Sequence, residues 1–270
     1  MSSPSILVRG LGKSFGGKPV LRGIDLAIEP GRVLGYIGAN GAGKTTTVRI
    51  LTGLLDDFEG TVEVAGHDVR TSPLEVKARI GYVPENAALY DALSVREFLL
   101  LVGRLHELPD AVSLRRMDEL LAAFGLSERI ASRLSALSKG MRQKVLISSA
   151  LLHDPQVIFL DEPLSGLDVA STILVKTLIR ALADRGRTVF YCSHMMDVVE
   201  RVCDRIVILS EGRIVADGTF EELSAARSGG SLERIFAELT GAGGEEALAQ
   251  RVVAALGAGG ASGVGGVGGA

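Results

Sequence analysis

The amino-acid sequence predicts an α/β fold whose central sheet is mainly parallel and carries a helical insertion. Strand-like and helical segments alternate through most of the 270 residues, as they do when helices connect parallel strands. A predicted strand at 32–37 leads through a glycine-rich turn directly into a helical pattern at 44–54. From about 86 to 136 the chain holds almost nothing strand-like. This stretch predicts an inserted helical subdomain, which extends with the next helix to about 155.

The N-terminal part is predicted to hold antiparallel β elements beside the main sheet. Residues 5–9 and 24–28 have the composition of strands, and glycine and proline between them favour turns. Two further strand-like segments follow at 61–65 and 79–83.

The inserted subdomain begins with a capping signal. Ser94 and Glu97 have the spacing of a capping box, which predicts a helix that continues to about His106. Two more helical patterns lie near 113–124 and 127–134. We therefore expect three helices in this part of the chain.

The C-terminal half returns to alternating elements. The predicted strands are 157–160, 188–192, 205–209 and a small β element at 212–215, and the predicted helices are 141–152, 169–185, 195–202 and 232–239. The predicted domain covers 5–240. Eight of the last fourteen residues are glycine, which disfavours helix, so we expect 241–270 to form a flexible tail.

Composition narrows the class of protein. Hydrophobic residues make up 47% and charged residues 23% of the chain, which is typical of a globular protein. The net charge of −3 gives no electrostatic reason to expect a nucleic-acid partner. No stretch reaches the roughly 18 apolar residues that a membrane-spanning helix needs, and the N-terminus lacks the apolar segment of a secretion signal. We expect a cytoplasmic chain without a membrane anchor of its own.

The turn after the strand at 32–37 matches the phosphate-binding pattern G-x-x-x-x-G-K-[ST]. Its residues are Gly38, Ala39, Asn40, Gly41, Ala42, Gly43, Lys44 and Thr45, followed by Thr46. The glycines let backbone N–H groups turn towards an anion, and the next helix directs its positive end there. Lys44 can neutralise phosphate oxygens, and the Thr45 hydroxyl can ligate Mg²⁺. A dinucleotide-binding fingerprint is disfavoured, because Thr46 stands where that fingerprint has its third glycine. The pattern therefore predicts a P-loop NTPase.

Two carboxylates follow the apolar strand at 157–160. Because ligands bind at the carboxyl ends of parallel strands, we expect Asp161 and Glu162 to lie beside the phosphate loop. Asp161 is suited to hold Mg²⁺, and Glu162 is suited to orient or deprotonate an attacking water. His194 follows the strand at 188–192 and is expected at the same edge, near the γ-phosphate or the water.

One further segment identifies the family. It reads Leu-Ser-Lys-Gly-Met-Arg-Gln-Lys over 137–144 and begins a predicted helix 24 residues before Asp161. With the phosphate loop and the acidic strand it resembles the nucleotide-binding subunit of ABC transporters, over about 5–240. In that family the serine and second glycine of a Leu-Ser-Gly-Gly-Gln motif bind the γ-phosphate held by the opposite subunit. Ser138 and Gly140 match these two positions.

The resemblance implies roles for four more residues. Phe15 lies where the family places an aromatic side chain that stacks on adenine, and Asp168 matches the D-loop, which couples the two sites of a dimer. His194 matches the switch histidine. Glu85 stands where the family usually has a glutamine that senses Mg²⁺ and water, so we expect its carboxylate to accept from a water or to approach the metal.

The resemblance implies an ATPase that uses ATP and Mg²⁺ and works as a head-to-tail pair. A homodimer, or a pair with a second ATPase subunit, would enclose two ATP sites. Transport would require separate transmembrane permease subunits, which would hold the chain at the cytoplasmic face of the cell membrane. The residues at 82–85, 137–141 and 232–240 resemble those of the exporter branch that serves drugs, sodium or polysaccharides.

The alternative is a soluble ABC-type ATPase that acts on nucleic acid or ribosomes. Chromosome-associated relatives insert long coiled coils between the phosphate loop and the Ser138 motif, whereas about ninety residues without sustained heptads separate them here. Relatives that act in translation carry two nucleotide domains, whereas this sequence contains one phosphate loop. A regulator without turnover would be expected to lack Lys44 or Glu162, and both are present.

Overall fold

The computed structural model describes residues 3–86, 89–227, 229–241 and 245–257. The strands within them are β1 (Ile6–Phe15), β2 (Lys18–Ile28), β3 (Val33–Gly38), β4 (Glu59–Val64), β5 (His67–Asp68), β6 (Ile80–Val83), β7 (Val157–Asp161), β8 (Thr188–Cys192), β9 (Arg205–Ser210) and β10 (Arg213–Gly218). The α-helices are α1 (Lys44–Leu51), α2 (Pro73–Arg79), α3 (Val95–Leu105), α4 (Asp110–Ala123), α5 (Lys139–Leu151), α6 (Val169–Asp184), α7 (Met196–Val202), α8 (Phe220–Ala225), α9 (Leu232–Thr240) and α10 (Glu245–Gly257).

The larger sheet is mainly parallel, as predicted. Its strand order is β10-β9-β3-β8-β7-β6, and β10 runs antiparallel to its neighbour β9. Asp161 is in register with Cys192, and Gly38 is in register with Leu209. Because parallel strands place their carboxyl ends at one edge, the loops that follow β3, β7 and β8 meet there.

The smaller sheet is antiparallel, with the order β2-β1-β4-β5. The predicted N-terminal antiparallel elements are therefore confirmed, although β1 extends further than its apolar residues indicate. A tight turn joins β1 to β2, so that Phe15 pairs with Lys18. This hairpin approaches the phosphate loop, because a Cβ added to Gly43 would lie 2.6 Å from Leu21 Cδ2 on β2.

The parallel sheet is covered on both faces. Along β7, Val157 and Phe159 pack into the core between the two sheets, whereas Ile158 and Leu160 pack into the core beneath the helices. All five residues of β7 are buried, which explains why the four residues before Asp161 are continuously apolar instead of alternating. Burying each large apolar side chain contributes about 1.5–3 kcal/mol, so the position of β7 is strongly determined.

The helical insertion begins as predicted and then departs from the prediction. The capping box is present, because the Ser94 hydroxyl accepts from Glu97 N while Glu97 accepts from Ser94 N. The helix predicted over 127–134 is wrong, since the structure has two 3₁₀ turns at Ser127–Arg129 and Leu134–Ala136.

The reason lies in tertiary backbone pairing. Val95 N donates to Ser132 O and Arg96 N to Ile130 O, while Leu134 N donates to Leu93 O. These bonds use the carbonyl and amide groups that an isolated helix would need for itself. The helical pattern in the sequence could not reveal this competition.

The region predicted as a flexible tail contains a further helix. The structure has α10 at 245–257, where helix-favouring alanine, leucine, glutamate, glutamine and arginine predominate. The prediction gave too much weight to the glycines, most of which lie in 258–270, outside the described residues. In the part of the chain that the structure describes, every helix is too short or too polar to cross a lipid bilayer.

Two histidine rings join the helical insertion to the parallel sheet. His106, which ends α3, stacks on His153, which follows α5, with 3.6 Å between ring centroids and 9° between planes. His153 Nε2 lies 2.8 Å from Ile80 O and must carry the proton, since a carbonyl only accepts. His153 Nδ1 is buried and has no hydrogen-bond partner among the described residues. Burial lowers the pKa of His153 to about 4, and the adjacent His106 acts in the same direction.

This pair makes a prediction about pH. The unfolded chain takes up a proton at a histidine pKa of about 6.5, whereas native His153 stays neutral down to about 4. The free energy of unfolding should therefore fall as the pH drops through this interval. The variant His153→Gln can still donate to Ile80 O but does not titrate, so its melting temperature should depend less steeply on pH. His67→Gln on β5 is the control, and an equal slope in the His153 variant would exclude the effect.

Candidate active site

The phosphate loop connects β3 to α1 in a conformation that requires glycine. Gly43 is the N-cap of α1 with φ 113° and ψ 3°, and Gly41 has φ 80°. Residues that carry a side chain rarely adopt such positive φ values. Gly38 is restricted by space instead, because an added Cβ would lie 2.6 Å from Leu209 O. The loop is therefore fixed by backbone geometry at two positions and by close packing at a third.

Lys44 begins α1 and its ammonium group lies over the loop. Its Nζ donates to Gly38 O at 2.6 Å and to Ala39 O at 3.2 Å. This position allows the charge to act on an anion that binds to the loop amides. Thr47, one turn further, has a structural role, because its buried hydroxyl donates to Gly43 O at 3.1 Å.

The acidic pair at the end of β7 lies beside the loop, as predicted. Asp161 is only 4% exposed. Burial, and next the charges of Glu85 and Glu162, raise its pKa to about 6, while Lys44 opposes the shift. A divalent cation would relieve this repulsion. No three acidic, histidine or cysteine side chains in the described ranges are grouped as a metal site, so Mg²⁺ would take one or two carboxylates together with Thr45 and phosphate oxygens.

The carboxylate of Glu162, which follows β7, is held by residues at the end of β8. Its Oε1 accepts from His194 N at 2.8 Å and lies 2.8 Å from His194 Nδ1. Its Oε2 accepts from the Ser193 hydroxyl at 3.1 Å. The backbone of Glu162 has φ 49°, which is uncommon for a residue with a side chain. Such strain persists where surrounding contacts determine it, often in an active site.

These residues enclose one cavity of about 690 Å³. The predicted site residues that line it are Phe15, Asn40, Gly41, Gly43, Lys44, Thr45, Thr46, Glu85, Asp161, Glu162 and His194. The volume is in the range of ligand pockets. Lys13 Nζ lies over the Phe15 ring, 4.7 Å from its centroid.

Five predicted residues do not line this cavity. Gly38 and Ala42 belong to the frame of the loop, and Ser138, Gly140 and Asp168 lie elsewhere. Gly140 packs against the backbone of the 165–168 segment, because an added Cβ would be 2.4 Å from Gly166 O. Asp168 caps α6 and forms an ion pair with Lys144 of α5 at 2.9 Å. Ser138 and Gly140 thus lie at the start of α5, and Asp168 lies at the start of α6.

The sequence prediction missed two residues of the site. Val20 lines the cavity because the β1–β2 hairpin brings it near Phe15, and no local pattern indicates this. Ser193 contacts Glu162. Its position directly before His194 was a usable signal, but a single serine after a strand carries little information.

The geometry agrees with comparisons to known proteins. The family model described as ABC transporter matches residues 21–165. This chain belongs to the ABC transporter family. It is 38% identical over 238 residues to the daunorubicin resistance ATP-binding protein DrrA3 of Streptomyces coeruleorubidus, covering 88% of this chain and 75% of that protein. It is 37% identical over 217 residues to the ABC transporter ATP-binding protein NatA of Bacillus subtilis (strain 168), covering 80% and 88%.

A solved structure supports the same assignment. The ATP-binding subunit of an ABC transporter superposes with a TM-score of 0.83 at 31% identity, covering 87% of this chain and 98% of that one. The predicted P-loop NTPase fold, the ATP-binding function and the ATPase activity are thus confirmed. The predicted similarity to the exporter branch is also borne out.

The loop glycines of this ABC ATPase allow a matched test. Gly41→Ala meets no atom within 4 Å, so it should cost about 1–2 kcal/mol from backbone strain alone. Gly43→Ala would also place its new Cβ 2.6 Å from Leu21 Cδ2. This overpacking should cost about 1–3 kcal/mol more. Denaturant unfolding should therefore show a larger loss for Gly43→Ala. Equal losses would mean that packing against β2 does not constrain the loop.

Proposed function

We propose that this ABC ATPase works as a head-to-tail pair that hydrolyses MgATP and drives export through separate transmembrane permease subunits. It would act at the cytoplasmic face of the cell membrane, held there by those subunits. A pair of identical chains is the simplest arrangement, because this chain contains both halves of an ATP site.

The observation that carries this proposal is the separation of the two halves. The phosphate loop and the acids share one cavity, whereas Ser138 and Gly140 do not line it. Ser138 is the N-cap of α5 and accepts from Met141 N at 3.3 Å. A helix N-terminus favours an anion, so this end is suited to a phosphate that a second copy presents. One chain alone would leave each ATP without that contact.

Within one chain, the loop amides and Lys44 would hold the phosphates and stabilise negative charge as it develops. Asp161 and Thr45, with Glu85 near them, would hold Mg²⁺, which supplies charge neutralisation on the phosphates when bound. Asn40, Gly41, Gly43 and Thr46 line the cavity beside them and would complete the phosphate contacts. Phe15, which lines the same cavity, would stack on adenine.

Glu162 would act as the general base. Its carboxylate borders the cavity and is anchored by Ser193 and His194, so it can accept a proton from a water without a large rearrangement. The His194 side chain is 78% exposed and is free to reach a bound phosphate. Asp168, beside Gly140, would couple the two sites across the pair.

A groove beside the site is suited to a permease helix. It has a volume of about 270 Å³ and lies between the end of α1, β6 and α3, where Leu54, Val102 and His106 are among its lining residues. Glu85 borders both the ATP cavity and a second cavity of about 440 Å³ against α5. Tyr82 lines the permease groove and Glu85 lines the ATP cavity, so the segment 82–85 would transmit movement between nucleotide and permease.

Export is the direction that the relatives favour. A daunorubicin resistance ATP-binding protein is among them, and so is a Nod factor export ATP-binding protein of Paraburkholderia xenovorans (strain LB400). The present chain would serve an exported substrate whose identity is determined by its permease.

The general base can be tested directly. Glu162→Gln keeps the shape of the side chain but cannot take up a proton, so ATP hydrolysis should fall about a hundredfold or more. ATP binding should persist, and a closed dimer should accumulate with MgATP. Phosphate release and light scattering measure the two effects.

The matched control is Lys44→Ala, which should lose nucleotide binding and therefore form no closed dimer. Near-normal turnover by Glu162→Gln would remove Glu162 from the proposed role. A variant that hydrolyses slowly but stays monomeric with MgATP would contradict the head-to-tail pair.

The permease groove is tested by affinity purification from native membranes in mild detergent, followed by mass spectrometry. A polytopic membrane protein should be recovered in comparable amount with the wild-type chain. Leu54→Asp places a charge on an exposed leucine of the groove and should reduce this recovery several-fold, while basal ATPase stays unchanged.

The control is Leu256→Asp, at an exposed leucine of α10, which should not affect recovery. Loss of recovery together with loss of ATPase in Leu54→Asp would indicate misfolding. Recovery of ribosomal proteins or DNA instead of a membrane protein would favour the soluble-ATPase alternative.

A further inference from the structure

The carboxylate of Glu162 is held by two neighbours that differ in mobility. His194 contacts Oε1, and its side chain is 78% exposed. Ser193 donates to Oε2 and is only 1% exposed. The His194 ring is therefore free to leave the carboxylate when a ligand offers another partner, whereas the His194 backbone N–H continues to donate to Oε1 at 2.8 Å. The serine is enclosed by protein and remains where it is.

The Ser193 hydroxyl is itself fixed in direction. Its oxygen accepts from Met195 N at 3.1 Å, so its single hydrogen is left to point at Glu162. The main chain strengthens this arrangement, because Glu162 N donates to Cys192 O at 2.9 Å. The ends of β7 and β8 are thus joined through both the backbone and the side chain of Glu162.

Ser193 does not line the ATP cavity, whereas Glu162 and His194 do. The serine therefore cannot act by touching the nucleotide or the attacking water. It acts on the carboxylate by holding Oε2, which together with the His194 N–H on Oε1 limits rotation of the carboxylate away from the cavity. The backbone of Glu162 has a left-handed conformation with a positive φ, which surrounding contacts must maintain. The hydrogen bond from Ser193 is one of these contacts.

We propose that Ser193 is a positioning residue for ATP hydrolysis, which holds Oε2 of Glu162 so that Oε1 remains directed at the attacking water after His194 turns to the phosphate. The inference rests on the proposed role of Glu162 as general base. Small displacements of a catalytic group reduce the rate strongly, whereas ground-state binding is little affected. The serine should therefore influence kcat and leave nucleotide affinity unchanged.

Steady-state kinetics of the full-length protein test this assignment. Ser193→Ala should lower kcat for ATP about tenfold with KM within about twofold of wild type. Ser193→Thr keeps a hydroxyl at the same position and should restore most of the rate. In the Glu162→Gln background, Ser193→Ala should cause no further loss, because the two residues act as one unit.

The matched control is Ser148→Ala, which also removes a buried serine hydroxyl, in this case one that donates to Lys144 O at 2.9 Å. Its kcat should match that of the wild type. Melting temperature and direct ATP binding are measured on each variant to separate positioning from folding.

Three results would overturn the inference. These are an unchanged kcat in Ser193→Ala, a parallel loss of ATP affinity and melting temperature, and an additive loss in the Glu162→Gln background. Failure of the proposed function is distinguishable, because it would appear as absent turnover in the wild-type chain or as normal turnover in Glu162→Gln.

Discussion

The site depends on one constraint, which is that β3, β7 and β8 are neighbouring parallel strands with their carboxyl ends at the same edge. Their order and register bring the phosphate loop, Asp161 and His194 together although they are far apart in the chain. The register is maintained because both faces of these strands are buried. A slip by one residue would turn apolar side chains from one core to the other and separate the acids from the loop.

At this edge of the sheet, favourable charge interactions offset the cost of burying a carboxylate. Asp161 lies close to Glu162 and Glu85, and burial increases the energy of its negative charge. Lys44 offsets part of this cost, and Glu162 is stabilised by donors at the end of β8. The arrangement is suited to receive positive charge and phosphate together, as an ATPase requires.

Much of the fold and site was predictable because the informative signals are local. The loop glycines, the apolar strand before Asp161 and the capping box at Ser94 each express a requirement of nearby backbone. The helix expected over 127–134 failed for the opposite reason, since that backbone pairs with the segment before α3. The helix at 245–257 was missed because the adjacent glycines dominated the composition of the tail.

The chemistry can be read from residue patterns alone: a phosphate loop, two carboxylates after an apolar strand, and a helix start carrying Ser138 and Gly140. These are short-range patterns whose residue types are required wherever the elements lie. The three-dimensional packing was needed to establish which of these residues share a cavity and that Ser193 holds the carboxylate of Glu162. Such contacts arise from strand order and register, which depend on the packing of the whole core and leave no pattern at any one position.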